Sequence, residues 1–265
     1  MNGPANLDAY LARPGPVQPF LRRLLAGVRV PVILDIGACE GEDSIRYSRL
    51  YPQARIFTFE PLPANQALIR ANFATYGTTQ AELVPLALSD RAGAAVFHVS
   101  SGRPPDLFSG ENWNYGNKSS SLLAPATAAP MHGWITFAES ITVTCETLDH
   151  FCAARGLTGI DFIHLDVQGA EGLVLAGAAA TLPRVRTLWL EVANEELYAG
   201  QKLRPEIEAL LRRAGFVLAH EDARGTEGDQ LYLNRRFERN RYCLWRWRLA
   251  RLIRRLRRPA SPPPS

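Results

Sequence analysis

The sequence predicts a single doubly wound α/β domain, Rossmann-like, on a mostly parallel sheet with an antiparallel closing strand. Three observations point to it. From about residue 30 to residue 233, short apolar β-type runs alternate with helical stretches. Near-continuous apolar strands separated by helices imply a parallel sheet covered on both faces. The first run empties into a glycine-bearing turn that opens a helix, a ligand-facing junction in such sheets. Finally, 265 residues with 46% apolar and 21% charged side chains suit one core of this size and exclude disorder.

The elements follow in order. Residues 32–36 form a continuous β-type run, and 55–59, 82–88, 161–166 and 186–192 supply four more. Helical patterns cover 44–51, 64–76 and 172–181. Residues 205–214 read as another helix, with Pro205 near its start and Gly215 breaking it. Residues 216–220 and 230–234 look like a closing hairpin. The domain therefore spans 31–234, preceded by an N-terminal helical extension (1–30) and followed by a basic tail (235–265). One stretch breaks the alternation. Residues 101–140 are rich in Gly, Pro, Asn and Ser but carry Trp113, Tyr115 and Trp134. Residues 94–100 before it and 141–145 after it alternate like exposed strands. A long aromatic-bearing insertion of this kind is expected to act as a lid.

Charge is unevenly placed. Between Arg235 and Arg258 there are eleven arginines and one acid, Glu238, a net of +10. The whole chain carries +4, so the remainder carries −6. An acidic body with a basic tail argues against a nucleic-acid-binding surface spread over the domain. No apolar run reaches the roughly 20 residues that span a bilayer, and Pro4, Pro14 and Pro16 interrupt the N-terminus where a secretory signal would lie. A cytoplasmic protein is expected. Cys39, Cys145, Cys152 and Cys243 lack metal-type spacing and read as reduced thiols.

The sharpest local signal is Val32-Ile-Leu-Asp-Ile-Gly-Ala-Cys-Glu-Gly41. A turn through Gly37, Ala38 and Gly41 brings backbone N–H groups and a helix N-terminus close to a ligand, because glycine lacks the Cβ that would block approach. The spacing is not Gly-x-Gly-x-x-Gly, which counts against a dinucleotide pyrophosphate. Asp35 would repel a pyrophosphate but suits a cationic ligand such as a sulfonium with an amino group. Glu60 ends the next strand, 19 residues past Gly41, where a carboxylate accepts ribose hydroxyls. Ser89 and Asp90 end the third run and are expected at the adenine edge of a nucleoside, although Ser-Asp is also ordinary turn chemistry.

A second block is Asp161-Phe-Ile-His-Leu-Asp-Val-Gln-Gly-Ala-Glu171. It delivers Asp166 to the carboxyl end of a strand, with His164 on the same face. Together with Phe59-Glu-Pro61, Pro85-Leu-Ala-Leu-Ser-Asp90 and Thr147-Leu-Asp149, the two blocks resemble the FkbM family of S-adenosylmethionine-dependent methyltransferases. The resembling pieces fall in order over about residues 32–192. The resemblance implies a seven-stranded class I methyltransferase fold closed by residues 216–234. It also implies S-adenosylmethionine as cofactor and methyl transfer to oxygen, on a sugar or glycan hydroxyl or a natural product. The family pattern usually has Lys where this chain has His164, and often Glu where it has Gln168. His164 removes a fixed cation and supplies a group that titrates near neutral pH.

Such a reaction needs the acceptor oxygen held in line and its proton removed. Asp166 is the first choice of base or orienting group, His164 the second, and Glu191, at the end of Leu188-Trp-Leu-Glu191, the third. Glu171 is expected to stabilise a helix start. No spacing demands a metal, although Asp166, Glu191 and a histidine leave one open. Residues 243–258 read as a cationic amphipathic helix suited to an anionic membrane surface at the inner face. Docking on the acidic body and contact with nucleic-acid phosphates are the alternatives for that tail. Two other functional readings stay open: a methyltransferase on nucleic acid or protein, and a catalytically impaired scaffold that binds the cofactor and recruits a partner.

Overall fold

In the structure, a computed structural model, residues 6–105, 113–126 and 133–246 are described, the side chains of 223 and 224 excepted. Five parallel strands form the body of the main sheet: β1 (Val32–Ile36), β2 (Arg55–Phe59), β3 (Ala81–Val84), β7 (Ile160–Leu165) and β8 (Val185–Ala193). A hairpin of β9 (Phe216–Arg224) and β10 (Glu227–Asn234) closes it, giving the order β3-β2-β1-β7-β8-β10-β9. Only β10 runs against its neighbours, inserted between β8 and β9. This is the seven-stranded arrangement the sequence led us to expect.

The two faces carry different helices. Leu34, Phe57, Ile163 and Leu188 pack with α5 (Leu148–Ala154), α6 (Glu171–Ala176) and α7 (Arg204–Arg213). Ile33, Ile56, Phe162 and Trp189 face Tyr47 of α3 (Glu42–Leu50) and Leu21 and Leu24 of α2 (Gln18–Leu24). Alternate residues of one strand thus feed opposite layers, as the pleat requires. Burying both faces explains why these strands read as unbroken apolar runs.

The run expected over 82–88 is divided. Pro85 has no N–H to give the ladder, so β3 ends at Val84 and the chain turns into β4 (Ala87–Leu88). That short strand joins a second sheet, β4-β6-β5, with β5 (Gly93–Gly102) and β6 (Ile135–Glu146). Both strands therefore reach into the segment expected to be irregular. α6 stops five residues sooner than the pattern implied: a Cβ at Gly177 would lie 2.0 Å from the Ser89 carbonyl oxygen, so the chain there is pressed against the 89–90 turn. α4 (Pro63–Tyr76) runs as expected, stopped by Gly77 in the left-handed region.

The N-terminal extension contains α1 (Leu7–Ala12), capped by Asn6. After β10 the chain turns through Asn234 and is helical over 238–246, with Tyr242 and Trp245 exposed. Most of the amphipathic helix expected over 243–258, and with it the membrane contact, lies outside the described residues. Among the described residues no helix is long and apolar enough to cross a membrane.

Candidate active site

A cavity of about 300 Å³ opens at the carboxyl ends of β1, β2 and β7, the ligand side of an open α/β sheet. Asp35, Gly37 and Ala38 come to it from β1, Glu60 from β2, and His164 and Asp166 from β7. Leu86 and Leu88 add an apolar side, and Trp113 and Lys118 reach in from the segment after β5.

The turn after β1 differs in one respect from the sequence expectation. Its N–H groups do not face the cavity. Gly37 N and Ala38 N both donate to the Phe59 carbonyl (3.1 and 3.0 Å), Cys39 N to Glu60 Oε2 (2.9 Å), Glu40 N to Glu42 Oε2 (3.0 Å) and Gly41 N to Ala38 O (2.7 Å). The glycines serve close packing instead. Gly37 has φ 86°, and a Cβ there would stand 1.8 Å from the Asp166 carbonyl oxygen. Gly41 (φ 77°) lies outside the cavity lining; a Cβ there would meet Phe73 at 2.9 Å. It starts α3 as its N-cap.

Glu60 is buried, and both carboxylate oxygens are fixed, Oε2 by Cys39 N and Oε1 by Leu62 N (2.8 Å). A carboxylate has about four lone-pair sites; with the Asn65 side chain also donating to it, room for a further donor remains. Burial pushes its pKa up to about 7 against these hydrogen bonds. Asp35 is likewise raised to about 7 by burial, with His164 and the Ser44 hydroxyl (2.6 Å) opposing. Ser89 and Asp90 do not reach the cavity. Ser89 N pairs with the Glu146 carbonyl (2.9 Å) in the small sheet, Ser89 Oγ turns to Asp90, and Asp90 faces Arg91. Pro85 is the reason: the chain leaves the main sheet before residue 89, and Leu86, Ala87 and Leu88 line the cavity in place of the pair.

His164 Nδ1 lies 3.0 Å from Tyr47 Oη, 3.5 Å from Asp35 Oδ1 and 3.9 Å from Asp43 Oδ2. Burial works against its charged form, but Asp43, Asp35, Asp166 and Asp229 outweigh it and raise the pKa. Each group favours the charged form of the other, His164 opposing the rise at Asp35 and Asp35 contributing to the rise at His164. Asp166 is held differently. Gln168, at φ 55°, donates Nε2 to Asp166 Oδ1 (2.7 Å) and to Glu191 Oε2 (3.0 Å). Its Oε1 lies 3.0 Å from Tyr198 Oη, and its carbonyl accepts from Ser121 Oγ (2.7 Å). The Gln168 amide therefore stands between Asp166 and Glu191, and Glu191 lies outside the cavity lining. Burial, with Asp166 next, drives Glu191 well above the carboxylate range. Glu171 opens α6 and accepts from Val167 N (2.9 Å), as its first-turn position led us to expect.

Oxygens of Asp166, Glu171 and Glu191 come within 4.8 Å of one another, a group that could hold a metal ion. No histidine belongs to it, unlike the set the sequence left open. Gln168 Nε2 donates to one oxygen each of Asp166 and Glu191, and Val167 N to one oxygen of Glu171, so the three carboxylates are bridged by protein donors and each keeps a second oxygen.

The methyltransferase FkbM domain matches residues 35–218, more than half of the chain. This protein belongs to the FkbM methyltransferase family. Its seven-stranded sheet with one antiparallel strand is the class I methyltransferase architecture. It is 38% identical over 205 residues to the 2-O-methyltransferase NoeI of Sinorhizobium fredii, covering 77% of this chain and 79% of that protein. It is 29% identical over 220 residues to the 31-O-demethyl-FK506 methyltransferase FkbM of Streptomyces tacrolimicus, covering 77% and 80%. Among solved structures, the precorrin-6y C5,15-methyltransferase of Geobacter metallireducens aligns at 13% identity with a TM-score of 0.43, covering 82% of this chain and 86% of that one.

Of the lining residues of this FkbM-family site, Tyr10 and Lys118 escaped the sequence reading, and Trp113 and Tyr115 were noted only as aromatics of the expected lid. Tyr10 comes from α1 and donates Oη to Asp43 Oδ2 (2.8 Å), with the Arg46 guanidinium 3.4 Å above its ring. Trp113 meets Tyr10 edge-on at 5.0 Å. Tyr115 also lines the cavity, whereas Trp134 does not. Lys118 bonds Glu42 Oε1 at 2.7 Å, with Nζ 4.5 Å from the Trp113 ring centroid and 3.7 Å from Cys39 Sγ. Burial lowers the Lys118 pKa less than Glu42, Cys39 and Glu40 raise it, so the ammonium is held. Nothing in the spacing of 113–118 marked these residues; only their aromatic content did.

Proposed function

We propose that the chain transfers a methyl group from S-adenosylmethionine to a hydroxyl oxygen of a sugar, glycan or natural-product acceptor. The observation that carries this reading is the convergence of Glu60, Asp35 and Asp166 on one cavity in a member of this family. The residues fit the cofactor. Glu60 offers two anchored oxygens for the ribose hydroxyls, Leu86, Leu88 and Phe97 an apolar side for the base, and Asp35 and Asp166 negative charge for a cationic centre. When bound, S-adenosylmethionine supplies a methyl group on a sulfonium, an excellent leaving group.

The protein must then orient the acceptor and take its proton. Asp166 is the group we assign to this, held in orientation by Gln168, which Tyr198 and Ser121 hold in turn. His164 is the second proton acceptor, its Nδ1 committed to Tyr47 and Asp35. Glu191 acts through the Gln168 amide as a positioning residue. The 2-O-methyltransferase named above supports a hydroxyl as acceptor.

The test is an assay of S-adenosylhomocysteine release against a panel of glycosides and hydroxylated natural products, with the methylated atom located by mass spectrometry. An O-methylated product is expected, with turnover reduced about 100-fold or more in Asp166→Asn. Methylation of nitrogen only, or unchanged turnover in that variant, would contradict the assignment.

A further inference from the structure

The lining of the cavity is acidic: Asp35, Glu42, Asp43, Glu60 and Asp166 all contribute to it. Among the described lining residues Lys118 is the only lysine or arginine. We propose that Lys118 is the receptor for the α-carboxylate of the cofactor's methionine moiety, and so selects the complete amino-acid-bearing nucleoside over truncated ones. This rests on the S-adenosylmethionine reading above.

Three observations place it there. First, the ribose anchor and Lys118 are separated by one residue: Cys39 N bonds Glu60 Oε2, and Cys39 Sγ lies 3.7 Å from Lys118 Nζ. Cys39, on the turn between β1 and α3, thus links the residue that would take the ribose to Lys118, leaving room between them for the 5′ substituent of a nucleoside. Second, the charges of that substituent are mixed. Its sulfonium and ammonium suit Asp35 and Asp166, but its carboxylate meets repulsion from every acid of the lining and attraction from Lys118. Third, Lys118 is held in place. Asn117 Nδ2 donates to Glu40 Oε1 (3.2 Å) and Asn65 Oδ1 (3.0 Å), and Ser119 N donates to Ser100 Oγ (3.0 Å). Lys118 Nζ has three donors; Glu42 Oε1 engages one at 2.7 Å and Cys39 Sγ a second at 3.7 Å, which leaves the third. It can keep both bonds and still receive a carboxylate.

Calorimetric titration with two ligands tests this. S-adenosylhomocysteine carries the carboxylate; 5′-methylthioadenosine lacks the whole amino-acid part. Lys118→Met is expected to weaken S-adenosylhomocysteine by about tenfold or more, the usual loss of a charged hydrogen bond. Its affinity for 5′-methylthioadenosine should stay within about twofold. Glu42→Gln removes the anion that competes for Lys118. It should leave 5′-methylthioadenosine unchanged and bind S-adenosylhomocysteine as tightly as wild type or tighter. Equal weakening of both ligands in Lys118→Met, or no weakening of either, overturns the assignment. If that variant does not fold, Glu42→Gln decides: weaker S-adenosylhomocysteine with unchanged 5′-methylthioadenosine overturns it. Failure of the wild type to bind either ligand would sink the cofactor reading instead.

Discussion

At the scale of single residues, the site depends on backbone proximity as much as on functional groups. Gly37 lets the β1 turn press against the backbone of β7's end, where Asp166 N bonds the Ile36 carbonyl at 3.0 Å. A Cβ at 1.8 Å from the Asp166 oxygen cannot be relieved by a side-chain rotation. Gly37→Ala is therefore expected to cost on the order of 4 kcal/mol, roughly 10 °C of Tm, or to prevent folding. Gly77→Ala is the control. It shares a positive φ (64°) but meets nothing within 4 Å, and should cost only about 1 kcal/mol. Thermal melts of both distinguish the cases; equal shifts would contradict the packing role. Gly37 was legible in the sequence as a special glycine, but for a different purpose. Glycine in a strand-to-helix turn signals close approach, and the sequence does not say whether ligand or backbone approaches.

At the scale of elements, strands that carry acids to their carboxyl ends were readable because burial on both faces writes continuous apolar runs. Asp35, Glu60 and Asp166 follow from that pattern alone. Ser89 and Asp90 did not, because a single Pro85 diverts the chain into the β4-β6-β5 sheet. Glu191 was correctly placed at the end of β8. Its separation from the cavity depends on the Gln168 amide, a contact between two loop-borne side chains that no periodicity records. A helical extension was expected over 1–30, but not that α1 would reach the site. Tyr10 enters the cavity because Arg46 binds the carbonyls of Tyr10 and Arg13 and draws this six-residue helix onto α3. Residues 113–118 contribute in the same way, from an insertion whose composition forecast a functional segment but not its cation.

At the scale of the molecule, buried acidity shapes stability. Burial pushes Asp35, Glu60 and Glu171 up to about 7 and Asp229 to about 6. His164 is also raised, through its carboxylate neighbours. For each acid the folded protein holds its proton over a range where the unfolded chain has released it. Stability from these groups is thus present at low pH and lost as pH rises from about 4 to about 7. The histidine acts in the same direction, its contribution present below about 6.5 and lost as pH rises through its raised folded value. Without ligand, the protein should melt several degrees higher at about pH 5.5 than at about pH 8. A Tm that is flat or rises over that range would contradict these environments.

The most direct test of the central claim is calorimetric titration of the purified chain with S-adenosylmethionine and S-adenosylhomocysteine, beside Glu60→Gln. The substitution keeps the side chain's shape but replaces one acceptor oxygen with a donor. Micromolar binding by the wild type is expected, weakened about tenfold or more in the variant. No binding by a folded wild type, or equal binding by Glu60→Gln, would contradict the assignment of this cavity to the cofactor.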